Sequence, residues 1–220
     1  MRKIIVCAAL LAGASLAACS ENVAVNAPQI SPMDFASQDK TPGNYAVMVQ
    51  SGAWKTEVKA QGWTCSGWTF PTDFETAYNQ AAKSGVQQSF QNVTFTPVAL
   101  KPAELRAQHF DAQIILYEGS ITANFSVTPN LFTAGFNSDV AMTGIVAVID
   151  PDGGVHQGNS RGAGTGASET VMGCGAAVPA IQQAGSAAIR DYVLNAVNAA
   201  KINILEMKAK MSAAAEKPTS

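Results

Sequence analysis

The sequence predicts an α+β domain in which a mostly antiparallel sheet carries two helices on one face as a two-layer sandwich. Three observations lead there. Several stretches alternate apolar and polar residues with the period of a half-buried strand. Two others repeat apolar residues every three or four positions, the period of an amphipathic helix. The order along the chain is strands, helix, strand, an antiparallel meander, then a long helix.

The folded part is expected over residues 44–211. "YAVMVQ" from Tyr45 and "WKTEVK" from Trp54 read as strands. In the second, Trp54, Thr56 and Val58 face one way and Lys55, Glu57 and Lys59 the other. After the Gly- and Trp-rich "GWTCSGWTFP", Thr72 and Glu75 have the spacing of a capping box, which starts a helix. Phe74, Tyr78, Ala81, Ala82, Val86 and Phe90 supply its apolar stripe. Val93 and Phe95 form a short strand limited by Pro97, and a polar connection leads on to "DAQIILYEGSITANFSV". There Ile121, Ala123, Phe125 and Val127 alternate with Ser120, Thr122, Asn124 and Ser126. The chain turns at Pro129 and Asn130, returns through residues 132–150, and turns again at Pro151, Asp152, Gly153 and Gly154 into a partner strand. The last element is a helix over 178–211, with Ile181, Ile189, Val193, Val197 and Ile204 on one face and Ala184, Ala188, Ala196 and Ala199 allowing close approach to the sheet.

Upstream, Arg2 and Lys3 precede an apolar run over 4–16 that is too short to span a bilayer and reads as a signal peptide, residues 1–18. It ends in Leu16, Ala17, Ala18 and Cys19, which resembles the lipobox of bacterial lipoproteins. A plain secretory signal is the alternative. The resemblance implies that Cys19 is lipidated and that two or three acyl chains hold the protein, where one would bind only marginally. Ser20, rather than aspartate, follows the cysteine. By the same resemblance this implies the periplasmic face of the outer membrane. Residues 19–43, with Pro28, Pro32 and Pro42 and no sustained apolar period, read as the lipidated cysteine and a flexible tether, and 212–220 as a disordered tail. Element order alone is similar to that of the lipopolysaccharide-assembly and YajG-type lipoproteins, and carries no functional residue.

The whole chain has a net charge of -2. Without the leader, which takes Arg2 and Lys3, this becomes about -4, which offers nothing to nucleic acid. Cys7 leaves with the leader and Cys19 is taken by lipid, so Cys65 and Cys174 remain in an oxidising compartment that favours a disulfide over two free thiols. A metal site fails on ligand supply, because His109 and His156 are distant from each other and from the cysteines. No cofactor is expected. "GAGTGA" at 162–167 formally matches a dinucleotide fingerprint, but the next helix is expected some ten residues later. It reads as a flexible glycine loop, with no nucleotide bound.

Enzymatic activity is not expected. The chain has no G-x-S-x-G elbow and its histidines lack partners. Carboxylate pairs, Asp111 with Glu118 or Asp150 with Asp152, fit solvated turns as well as they fit glycan chemistry. Trp54, Trp63 and Trp68 lie within 15 residues. They either pack around the disulfide or form an aromatic surface for a partner. The expected function is that of a lipid-anchored accessory or assembly protein working through contacts with an envelope protein. The alternatives are a lipid or small-ligand carrier with a cavity between sheet and helices, and a cell-wall enzyme.

Overall fold

The computed structural model describes residues 19–50, 52, 54–61, 65–130, 133–170 and 173–215. Its nine strands are β1 (Cys19–Ser20), β2 (Val23–Ala24), β3 (Thr41–Val49), β4 (Lys55–Gln61), β5 (Trp68–Asp73), β6 (Phe90–Phe95), β7 (Ala112–Pro129), β8 (Ala134–Ile149) and β9 (Val155–Thr170). The helices are α1 (Glu75–Ser89), α2 (Pro102–Ala107) and α3 (Ala177–Ala215). The expected two-layer sandwich is overturned. The strands make one mixed sheet that curls into a half-barrel with a single long C-terminal helix.

Strand length and pairing explain the difference. β7, β8 and β9 run 18, 16 and 16 residues and pair antiparallel, long enough for the right-handed twist to accumulate into a curl. The other edge of β7 is shared. Its first part pairs in parallel with β3, from Ala112 to Leu116, and its last part in parallel with β4, from Asn124 to Ser126. Between them the register slips at a bulge between Glu118 and Ile121, where a side chain on Gly119 would meet the Thr143 carbonyl. The sheet therefore forks, one branch going on to β6 and the other to β5, β1 and β2. Alternation reveals a strand's faces but not its neighbours, so neither the parallel pairs nor the fork could be read from the sequence.

Trp54 fills the fork. It lies between Gln50, whose amide reaches the Leu116 carbonyl, and Lys59, which pairs with Asn124. The indole is fully buried against Tyr78 of α1 and Tyr192 of α3, with ring centroids 4.3 and 4.9 Å away. The Tyr192 hydroxyl donates to the Tyr117 carbonyl, next to the bulge. Tyr45, Phe74, Phe90, Ile114, Leu116, Ile189 and Val193 extend this main core. A smaller core of Val23, Val58, Phe70, Phe125, Phe136 and Ile181 fills the other branch. On the opposite face of β7, Ile115 and Gln113 are buried. The Gln113 amide accepts from the Leu100 amide and donates to Thr96 Oγ1 and the Val98 carbonyl, which fastens the chain leading into α2.

Local expectations change in five places. Thr72 lies in β5 and donates to the Phe70 carbonyl, so it does not cap α1; at the helix start the Asp73 carboxylate accepts from the Glu75 amide instead. The polar connection contains α2, started by Pro102 and by Glu104, whose carboxylate accepts from the Lys101 amide. The glycine loop at 162–167 is the middle of β9. The tail is helical as far as Ala215, beyond which the residues lie outside those described. Residues 19–43 are not a free tether: they contribute β1, β2 and a 3-10 turn at Pro32–Asp34, and bury Val23, Val25, Ile30 and Phe35. Their buried apolar residues are too irregularly spaced to show a period, so composition alone misleads. The signal peptide expected over 1–18 lies outside the described residues, of which no helix is long and apolar enough to cross a membrane.

Candidate functional site: sheet edges and the Cys19 corner

A curled, forked sheet has three outer edges, and each ends differently. An unpaired edge strand offers a row of backbone donors and acceptors to any extended chain. Along β9, α3 occupies that row. Asp191 accepts from the Ala163 amide at 3.0 Å and Gln183 from the Ala167 amide at 3.2 Å, while Asn195 donates to the Arg161 carbonyl at 2.9 Å and Asn203 to that of His156. These four positions recur at four- and eight-residue spacing and so follow one i±4 ridge that winds slowly across the helix surface.

The glycines of β9 allow this approach. A side chain on Gly162, Gly164 or Gly166 would collide with the carbonyls of Ala188, Ala184 and Ala180 respectively. Helix and strand are in backbone contact there, which leaves no room for a lipid between them. The sequence signal was present in the Gly repeat and the Ala stripe, but pairing one with the other required the register.

On the second edge, Gln182 donates to the Ala24 carbonyl of β2. A cleft of about 660 Å³ lies outside it, lined by Val23, Pro71, Lys55, Glu57 and Asp73. Asp73 and Glu75, each 3.5 Å from the Lys55 ammonium, raise its pKa and together outweigh its single charge.

The third edge is β6. Among the described residues, its backbone hydrogen bonds go to β3, apart from the Phe90 amide, which donates to the Val86 carbonyl and closes α1. Beside it runs a groove of about 610 Å³, in which Val47, Val49 and Phe95 form an apolar floor and Thr76, Asn79, Gln80 and Lys83 of α1 a polar wall. The Lys83 ammonium stands 5.8 Å from the centre of the Phe95 ring.

The sequence-derived site residues disperse. Cys65 and Cys174 form a disulfide, which joins the β4–β5 turn to the start of α3. Trp68 packs beside Cys65 and stacks on Phe70, and its backbone pairs with that of Cys19. Trp54 is withdrawn as a partner-binding residue, because it belongs to the main core and not to the disulfide. Trp63 lies outside the described residues. Tyr192 and the polar row of α3 were not singled out from the sequence, and Tyr78 was named only for the apolar stripe of the first helix.

The carboxylates weighed for glycan chemistry have other work. Asp150 accepts from the amides of Asp152 and Gly154 to close the β8–β9 turn. Asp111 accepts from the Asn44 amide at the start of β7, about 23 Å along the strand from Glu118, well beyond the spacing of a glycosidase pair. His109 is an exposed residue at the end of α2, and His156 lies at the start of β9.

No family model and no curated protein matches this chain. Among the solved structures similar to it at a low level are two bacterial proteins. One is protein XCC0632 from Xanthomonas campestris, of family model DUF330, at 8% identity and a TM-score of 0.37, over 83% of this chain and 97% of that one. The other is a neuraminyllactose-binding hemagglutinin homolog from Helicobacter pylori, at 10% identity and a TM-score of 0.35, over 88% and 100%. Neither likeness is close enough to carry a functional argument.

Proposed function

We propose that the chain is a lipid-anchored accessory or assembly protein of a bacterial cell envelope that binds a protein partner by strand addition at β6. One observation supports this reading above the others: of the three sheet edges, β9 and β2 are hydrogen-bonded by α3, whereas β6 borders an amphipathic groove. An extended partner segment added to β6 would gain main-chain hydrogen bonds, and its alternate side chains would enter the groove. The lipobox at Cys19 supports the anchor and the envelope address. The carrier reading has no such support, because α3 lies directly on β9.

A photo-crosslinking residue at Thr94 of β6, compared with one at Thr165 of β9, tests the assignment in cells. A partner captured at 94 and not at 165 is expected, and Val93→Pro should abolish the capture by removing a ladder donor and reshaping the edge. Equal capture at both positions, or capture that survives Val93→Pro in a folded protein, would overturn the edge assignment.

A further inference from the structure

The segment between Cys19 and β3 decides how far an anchor at Cys19 could hold the domain from a membrane. As a flexible coil, about 24 residues would span some 25–30 Å. Here they cross the molecule in contact with it. Cys19 and Ser20 pair in parallel with Trp68 and Thr69, and the Glu21 amide reaches the Thr69 carbonyl at 3.1 Å. Val23 and Ala24 continue along Thr72 and Asp73. Val23, Val25, Ile30 and Phe35 are each less than a tenth exposed.

Both long helices then hold the segment. Arg190 pairs with Asp34, Gln88 donates to the Ile30 carbonyl, Lys201 to those of Ser37 and Asp39, and Lys208 to that of Pro42. These groups lie on α1 and α3, far along the chain, so the strap exists only in the folded protein. Cys19 is left one strand spacing, about 5 Å, from Trp68.

We infer that residues 20–43 fix the anchor instead of lengthening it, so that the protein stands on the lipid surface with the Cys19 and Trp68 corner at headgroup level. This rests on the lipid-anchor reading above. Acyl chains on Cys19 enter the bilayer directly below that corner. The half-buried Trp68 ring, apolar in body and polar at its N–H, suits the boundary between headgroups and water. The β8–β9 turn at Asp152 then points away, because β8 and β9 run about 50 Å from the corner end to that turn. The orientation also sets β6 and its groove at a defined height above the membrane.

The full chain, processed in cells and reconstituted in phosphatidylethanolamine and phosphatidylglycerol vesicles, provides the test. A fluorophore is placed through Lys59→Cys, beside Thr69, or through Asp152→Cys, and the vesicles carry a headgroup spin-label quencher. Strong quenching at 59 and little at 152 is expected. Insertion of about 12 Gly and Ser residues directly after Cys19, which separates the anchor from the paired segment, should lower the signal at 59 to that at 152. Equally weak quenching at both positions, in protein that floats with the vesicles and carries acyl mass on Cys19, overturns the fixed orientation alone. Protein that neither floats nor carries that mass overturns the anchor and the orientation together.

Discussion

Single residues settle the interior through size and ionisation. Gly166 lies against the Ala180 carbonyl, so Gly166→Ala forces helix and strand apart, an overpacking worth about 1–3 kcal/mol. Gly67, in the exposed β4–β5 turn, has nothing near the corresponding position, and Gly67→Ala should leave the urea midpoint nearly unchanged. A comparable loss from both changes would remove the case for backbone contact at β9. The tyrosines set an alkaline limit. Burial, aided by Asp111, raises the pKa of Tyr45 to about 12. Burial also raises Tyr78 and Tyr192, with Glu118 adding to both. A phenol whose pKa is higher folded than unfolded contributes its full stabilisation below the unfolded value, about 10, and loses it as pH rises through the folded one. Stability should therefore hold to about pH 10 and fall between 10 and 12. Tyr45→Phe should flatten part of that fall, and an unchanged slope would show that Tyr45 titrates normally.

Among the elements, α3 shapes the molecule most. Its apolar face covers the sheet, its small residues admit β9, and its polar row seals the β9 edge. Combining Gln183→Ala, Asp191→Ala and Asn195→Ala removes three of those hydrogen bonds without touching the core. The amides of Ala163 and Ala167 should then exchange faster with solvent, and the protein should associate at high concentration through the freed edge. Protection that persists at both amides would mean that helix packing alone guards the strand. The stripe of α3 was legible because 3.6-residue periodicity survives over 39 residues. The strand character of 162–167 was not, because glycines carry no side chain in which alternation can be seen.

For the whole molecule, the disulfide and the strap tie distant parts of the chain together. The bridge closes 109 residues and should contribute about 4–5 kcal/mol by limiting the unfolded chain. Reduction under native conditions should lower the unfolding midpoint in urea accordingly. A shift worth less than about 1 kcal/mol would show that the smaller core already holds the β4–β5 turn against α3. The sequence by itself determined the pairing of Cys65 with Cys174, most strand and helix positions, and the lipobox-like stretch ending at Cys19 that motivates the envelope proposal, because composition, spacing and periodicity are local. Only the tertiary structure decided that Trp54 closes a fork instead of greeting a partner, that residues 20–43 are docked instead of free, and that the polar row of α3 seals β9 and not β6. Those outcomes depend on which long-range neighbours each strand takes, and a side-chain pattern along one strand says nothing about the strand beside it.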